Sequence, residues 1–163
     1  MYSTDATLIL QLSIETKSPA DWYWMEIKND MNKNITNKDI VNGSFVIPDG
    51  VTEIVDFAFE DCTSLESITI PKSVVKIGKC AFSECSNLAS ITLPKSVTEI
   101  GDYAFYGCSS LKNITLPEGV TEIGNWAFYR CSSLKKVSLP KKVKLGPGVF
   151  YGCHPDIEIE YRD

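Results

Sequence analysis

Six cysteines and a single histidine are the residues of this chain best suited to redox, metal or nucleophilic chemistry. Six cysteines indicate disulfide bridges or metal ligation unless their positions argue otherwise. No C-x-x-C pair occurs, and Cys80 and Cys85 lie five residues apart without further ligands nearby. The only histidine, His154, lies between Cys153 and Pro155, where a nucleophile–histidine–acid arrangement is disfavoured. These residues therefore predict no metal site and no histidine-based catalysis.

Sequences typical of other nucleophile or cofactor sites do not occur. The chain has no G-x-S-x-G, Walker or dinucleotide-binding sequence. Paired carboxylates such as Glu60 and Asp61 are available for acid–base chemistry, but they lie in an acidic surface stretch and nothing specific supports that role. We therefore predict a protein that is not an enzyme and has no cofactor.

The composition fits one soluble globular domain. The chain has 163 residues, a net charge of −5 and 44% hydrophobic residues, which is within the usual size of a domain. Acidic residues outnumber basic ones by 21 to 16, so a nucleic-acid partner is disfavoured. No apolar run approaches the ~20 residues of a membrane helix, and Met1 is not followed by the basic and apolar regions of a signal peptide. We expect no membrane insertion and leave the compartment open.

The spacing of the cysteines leads to the organisation of the chain. Five of them recur at intervals of 23, 23, 23 and 22 residues, and phenylalanines and prolines keep nearly the same period. These positions are Cys62, Cys85, Cys108, Cys131 and Cys153; Phe59, Phe82, Phe105, Phe128 and Phe150; and Pro48, Pro71, Pro94, Pro117 and Pro140. The unit reads V-x-x-I-G-x-x-A-F-x-x-C-S-x-L-x-x-I-x-L-P, as over 97–117. One unit cannot bury its own apolar face, so successive units must stack.

This unit resembles the BspA-type leucine-rich repeats, on the segments VTEIGDYAFYGCSSLKNITLP (97–117) and VVKIGKCAFSECSNLASITLP (74–94). The resemblance covers about residues 46–161. It implies a leucine-rich repeat solenoid, a right-handed β/α superhelix of about five 23-residue turns with a parallel sheet on its concave face. It also implies a binding role, often in a cell-surface or secreted protein.

We predict three parts along the chain: an N-terminal cap over 1–44, the repeats over 45–152 and a C-terminal capping strand over 153–163. Alternating residues over 8–15 predict a strand, and Ser18-Pro19 resembles the start of a helix, so the cap is expected to be a strand plus a helix. Residues 157–161 alternate and predict a final strand, whose outward charges discourage edge-to-edge pairing.

Within stacked turns the cysteines gain a structural interpretation. Equivalent side chains on successive turns point in parallel, and five members cannot all pair, so disulfides are disfavoured. Free cysteine behaves as a small apolar residue, and we predict a buried ladder of reduced thiols. Cys80 lies outside the ladder, where other repeats have Phe57, Tyr103 and Trp126. We expect it to be the more accessible thiol.

A partner is expected at outward positions that vary between repeats. On the predicted strands these residues change from acidic to basic along the chain, which could steer an acidic partner to the C-terminal end or merely keep the protein soluble. The candidate site residues are Glu66, Ser67, Ser90, Lys112, Asn113, Lys135 and Lys136. A secondary aromatic surface, suited to packing or to binding, consists of Tyr103, Tyr106, Trp126 and Tyr129.

The sequence thus favours a protein-interaction module that binds a protein partner through the concave face. The alternative is a structural repeat segment of a larger cell-surface adhesin with no ligand of its own. An uncapped last strand or the aromatic edge also offers a surface for a weak homodimer.

Overall fold

Two short strands per repeat build most of the computed structural model, which describes residues 35–163. In chain order the strands are β1 (Ser44–Val46), β2 (Glu53–Ile54), β3 (Ser67–Thr69), β4 (Lys76–Ile77), β5 (Glu99–Ile100), β6 (Asn113–Thr115), β7 (Glu122–Ile123), β8 (Lys136–Pro140), β9 (Lys144–Leu145) and β10 (Glu158–Arg162). Every strand pair is parallel. The result is the predicted parallel-sheet solenoid of about five turns.

The strands form two ladders on different faces. One ladder is continuous and has the order β2-β4-β5-β7-β9; we call its outward side the Glu face. The other consists of two pieces, β1-β3 and β6-β8-β10, and its outward side is called the Thr face. Between the two pieces residues 88–94 form no strand, although Ala89 N still donates to Glu66 O. The predicted single sheet on this face is therefore interrupted in the middle.

Turns, not helices, connect the two ladders. Tyr103 and Gly107 both have positive φ, of 55° and 69°, and they flank the Ala104-Phe105 pair. A right-handed helix cannot run through left-handed residues, so the segment closes as a turn. Phe105 N then donates to Ala127 O in the next turn at 2.8 Å. No helix occurs within 35–163, so these residues do not provide the helical layer of the expected β/α superhelix.

The interior consists of columns of identical or similar residues, one from each turn. The rings of Phe59, Phe82, Phe105, Phe128 and Phe150 stack at centroid separations between 5.0 and 5.7 Å. The first four of these phenylalanines are fully buried. Stacking therefore supplies the buried apolar surface that a single unit cannot provide.

The stack extends to Ile35, before the first predicted strand. Ile35 is buried, its N–H donates to Ala58 O, and its carbonyl accepts from the thiol of Cys62. In the later turns a phenylalanine carbonyl accepts the thiol of the next repeat. Ile35 thus takes the phenylalanine position of a partial preceding turn. The strand and helix predicted for the N-terminal cap lie outside the described residues.

Candidate partner-binding site

Three of the predicted site residues line a groove near the C-terminal end of the Thr face. Lys112, Asn113 and Lys135 surround a volume of about 490 Å³. Asn113 begins β6, and Lys135 N donates to Lys112 O at 2.9 Å, so the two lysines lie on adjacent turns. The repeat of the backbone therefore sets the spacing of the two basic side chains.

Sequence reasoning missed the other half of this groove, which is lined by Ser132, Ser133 and His154. The serines follow the repeat cysteine Cys131 in a turn. His154 comes from the following turn and reaches the groove only because the turns stack. Its equivalence to Ser132, 22 residues earlier, was the signal that the sequence contained.

His154 is held in place by its own turn. The imidazole is half-buried, and its Nδ1 accepts a hydrogen bond from Asp156 N at 3.1 Å. With Nδ1 as the acceptor, a neutral His154 carries its proton on Nε2. The groove therefore has two lysine ammonium groups, an imidazole, two hydroxyls and an amide, and no carboxylate among its lining side chains. This arrangement suits an anionic or hydrogen-bond-accepting ligand.

The remaining predicted site residues lie elsewhere on the same face. Lys136 points outward from β8, and its Nζ is 3.9 Å from a carboxylate oxygen of Glu160. Ser67 Oγ is 2.8 Å from Ser44 Oγ, while Ser90 is exposed in the interrupted stretch. Glu66 is exposed too, and its side chain lies over Gly43, where an added Cβ would be 2.8 Å from Glu66 Cδ. The groove thus unites only part of the predicted set.

The predicted aromatic surface is largely occupied by its own packing. The rings of Tyr106 and Tyr129 stack at 5.3 Å, and Tyr129 stacks on Tyr151 at 5.6 Å. Trp126 contacts Tyr129 edge-on at 5.3 Å, and Tyr103 contacts Tyr106 edge-on at 6.0 Å. Since ring faces are covered by neighbouring rings, these side chains have lateral packing between turns as an evident role.

The repeat cysteines form a ladder of thiols that bond to the preceding turn. Cys85 Sγ donates to Phe59 O at 3.1 Å, and Cys108 Sγ donates to Phe82 O at 3.2 Å. Burial raises the pKa of Cys62 to about 12 and raises the pKa of Cys85 and Cys108 as well. A buried thiol with a raised pKa is a poor nucleophile, so the ladder has a structural role.

Cys80 is half-buried and therefore more accessible than Cys85 or Cys108, as predicted. Its backbone has a positive φ of 53°, as do the aromatic residues at the same position in other turns. Burial, followed by the negative charge of Glu60, raises the pKa of the Cys80 thiol above its ordinary value. Within residues 35–163 no cluster of three or more cysteine, histidine or carboxylate side chains could hold a metal ion.

The Glu face has a second, smaller groove of about 350 Å³, lined by Lys76, Glu99, Asp102 and Glu122, among others. Two of its charged side chains, Lys76 and Asp102, make contacts with neighbouring turns of the fold. Lys76 Nζ is 3.1 Å from Glu53 on the preceding turn, and Asp102 Oδ1 accepts from Asn125 N at 2.6 Å.

No helix in the described part of the chain is long and apolar enough to cross a membrane.

Comparison with known proteins identifies relatives of this fold. The family profile for the BspA type leucine rich repeat region matches residues 32–155 in six copies. A leucine-rich repeat protein of Treponema pallidum is 39% identical, with a TM-score of 0.67, over 71% of this chain. A leucine-rich cell surface protein of Faecalibacterium prausnitzii is 35% identical, with a TM-score of 0.72, over 81%. A leucine-rich repeat protein of Bacteroides ovatus is 48% identical, with a TM-score of 0.65, over 71%.

This chain spans 57%, 36% and 30% of the lengths of those three solved chains, in the same order. The comparison with curated proteins gave no match.

Proposed function

Because the chain belongs to the family of BspA-type leucine-rich repeats, we propose that it is a noncatalytic protein-interaction module. It binds a protein partner through the Thr face, which corresponds to the concave face expected for the family. The observation that carries this proposal is the groove in which Lys112 and Lys135 meet His154 without a carboxylate in its lining. The partner presents an acidic segment, since two ammonium groups on adjacent turns favour carboxylates.

The charges outside the groove support the same polarity. Lys141, Lys142 and Lys144 follow β8 in the last full turn, whereas the first turns are rich in aspartate and glutamate. Asp156, Glu158, Glu160 and Asp163 offset part of this basic charge, but residues 130–163 still contain seven basic and four acidic residues. Such a field attracts an acidic partner toward the last turns more than toward the first turns. Surface charges act mainly on the association rate and are screened by salt, so binding is expected to weaken as the ionic strength rises.

A charge-reversal experiment tests this proposal. The probe is a fluorescein-labelled peptide of alternating glutamate and serine, titrated with the full chain at low salt. Lys112→Glu combined with Lys135→Glu is expected to weaken binding at least tenfold without a change in thermal stability. The control is Lys72→Glu with Lys95→Glu, which makes the same change in net charge at exposed positions on adjacent turns outside the groove lining.

An equal loss of affinity for the acidic peptide in both double variants would show that net charge determines binding. The groove would then not be the binding site. A peptide of alternating lysine and serine is expected to bind more weakly than the acidic peptide. If the wild-type chain prefers the basic peptide, the proposed polarity of the partner is wrong.

A second candidate function is that of a structural repeat segment in a larger cell-surface adhesin. It is favoured by the greater length of the solved relatives and by the description of one of them as a cell surface protein. Under this proposal the turns act as a spacer and contain no ligand site. The wild-type chain would then bind neither peptide, and extra turns from the longer protein would raise its melting temperature.

A further inference from the structure

Asn42 and Gly43 form the tip of a two-residue hairpin at the start of the Thr face. Val41 N donates to Ser44 O at 3.2 Å, and Ser44 N donates to Val41 O at 2.9 Å. The φ angles of Asn42 and Gly43 are 50° and 74°, as in a type I′ turn, for which asparagine followed by glycine is strongly preferred. This is the only asparagine–glycine pair in the chain. The hairpin therefore places this pair at an exposed turn.

The reactive groups of this pair are not engaged in the fold. Asn42 is exposed, and among residues 35–163 its side-chain amide makes no hydrogen bond and the N–H of Gly43 has no acceptor. By contrast, Asn37 and Asn87 each donate a side-chain N–H to a backbone carbonyl of a neighbouring turn, at 3.2 and 2.7 Å. Glycine also has no Cβ that would shield its nitrogen. The side-chain carbonyl carbon of Asn42 and the nitrogen of Gly43 are thus available to react with each other.

We propose that Asn42 is a self-modification site, at which the chain converts asparagine to aspartate or isoaspartate without an enzyme. Solvent hydroxide removes the proton of Gly43 N, and this nitrogen attacks Cγ of Asn42. The new C–N bond closes a five-membered succinimide ring, and the side-chain nitrogen takes a proton from water and leaves as ammonia. Water then opens the ring, at Cγ to give aspartate or at the backbone carbonyl of Asn42 to give isoaspartate. The net reaction consumes one water and releases one ammonia, with no oxidation or reduction.

The closed turn controls how fast this reaction can occur. In a type I′ turn the nitrogen after the asparagine points away from the asparagine side chain, so the attack requires rotation about the Cα–C bond of Asn42. That rotation breaks the two hydrogen bonds between Val41 and Ser44. Glu66 opposes it, because Glu66 N donates to Gly43 O at 2.7 Å and Glu66 Cδ would be 2.8 Å from a Cβ on Gly43. The native chain therefore reacts from a locally opened turn, more slowly than an unfolded chain does.

The product changes both the charge and the backbone of the first turn. Aspartate and isoaspartate each add one negative charge to turns that are already rich in acidic residues. Isoaspartate also adds a methylene to the main chain between positions 42 and 43, so a two-residue turn no longer fits the antiparallel pair of Val41 and Ser44. Gly43 O accepts from Glu66 N and Ser67 N, and β1 pairs with β3 alone among the described strands. Formation of isoaspartate is therefore expected to loosen β1.

Incubation of the full chain in mildly alkaline buffer, followed by peptide mass mapping, tests the site. The peptide containing Asn42 is expected to gain about one mass unit and to separate into two products of equal mass, with aspartate and with isoaspartate. Peptides containing Asn87 and Asn113 should stay unchanged over the same time, because leucine and isoleucine follow these asparagines and hinder the attack. Asn42→Gln is the matched control. Its longer side chain would need a less favourable six-membered ring, so no ammonia should be released at this position.

Further measurements test control by the turn. The chain unfolded in guanidinium chloride is expected to deamidate at Asn42 at least tenfold faster than the native chain. Glu66→Ala removes the side chain that lies against Gly43 and is expected to accelerate the native reaction several-fold, whereas Glu66→Gln keeps this packing and should react as the wild type does. Circular dichroism verifies that each variant is folded. A native chain that keeps Asn42 intact through prolonged incubation at a pH at which the unfolded chain converts fully would overturn the site. Equal rates in the native and unfolded chains would overturn control by the turn.

Discussion

The turn around Phe128 and the turn around Phe150 have the same residue columns but different surroundings. Phe128 is stacked on both sides and fully buried, whereas Phe150 is stacked on Phe128 at 5.7 Å and half-buried. The ladder residue of the inner turn, Ile123, is fully buried, and its equivalent Leu145 is 39% exposed. Burial in this molecule is therefore determined by the turns on either side more than by the residue itself.

Under the proposed function, this difference separates the residues that stabilise the fold from those that bind the partner. The inner turns cover one another completely and provide the apolar burial that holds the chain together. The last turns contribute Lys135 and His154 to the basic groove. The inward positions of each repeat therefore form the core, and under the proposed function outward positions of the last turns bind the partner.

The largest expected effect is the contrast between two phenylalanine truncations. Phe105→Ala removes a fully buried ring that is stacked on both sides, and it should lower the free energy of unfolding by about 3–5 kcal/mol. Phe150→Ala should cost about half as much, because that ring is half-buried and stacked on one side only. Urea unfolding followed by circular dichroism measures both. Equal losses of unfolding free energy in the two variants would show that the position of the phenylalanine in the stack does not determine the effect of its truncation.

A smaller effect is expected at the glycines where successive turns approach each other. A Cβ on Gly124 would lie 2.4 Å from Asp102 N, a backbone atom of the inner stack, so Gly124→Ala should cost about 1–3 kcal/mol. A Cβ on Gly146 would lie 2.7 Å from Asn125 N. Within residues 35–163 no strand follows β9 on the Glu face, so in this chain the substitution should cost less.

Gly119→Ala is the matched control, because the nearest atom to its added Cβ lies 3.5 Å away. Its melting temperature should stay within a degree or two of the wild-type value, or rise slightly through a less flexible unfolded chain. A large decrease in the melting temperature of Gly119→Ala would mean that alanine is poorly tolerated throughout the repeats. The difference between Gly119→Ala and Gly124→Ala would then not reflect the close approach of stacked turns.

The smallest expected effect is on thiol reactivity. Cys80 and Cys153 are half-buried, while Cys62, Cys85, Cys108 and Cys131 are fully buried. Ellman's reagent should therefore label the native chain at Cys80 and Cys153 and reach the other four cysteines only on unfolding. Since burial raises the pKa of Cys80, its thiolate is scarcer at pH 8 than that of a free cysteine. Labelling of Cys80 should therefore be several-fold slower than labelling of free cysteine, and its rate should increase as the pH rises.

Fast labelling of the native chain at Cys108 would contradict the stacked interior. A Cys80→Ser variant, which should lose one of the two reactive thiols, assigns the signal.

The inward columns could be predicted from sequence because the period itself encodes them. Each phenylalanine has its equivalent 22 or 23 residues away, and stacking of equivalent side chains follows from that spacing alone. The final strand was predicted from the alternation of Ile157, Ile159 and Tyr161 with glutamates, and β10 confirms it. The exposure of Ile159 was missed, because alternation indicates which side faces inward but not whether another turn covers it.

The turns that replace helices had almost no signal in the sequence. Phe57, Tyr103 and Trp126 all adopt positive φ, a conformation that bulky side chains rarely take. Gly148 occupies this position in the last turn, while Gly107 and Gly152 occupy a second left-handed position that other turns fill with Asp61, Glu84 or Arg130. These glycines were the signal for a left-handed backbone. The helical cap and all the concave-face site residues remain predictions.

The most direct test of the account is hydrogen exchange of the full chain with and without the acidic peptide. If the last turns are the recognition surface, slower exchange is expected in residues 112–115, 132–138 and 154–156, with no change along the Glu face or in the turns around Phe59 and Phe82. Protection centred on the Glu face or on the aromatic residues 103–106, with the groove unchanged, would contradict it.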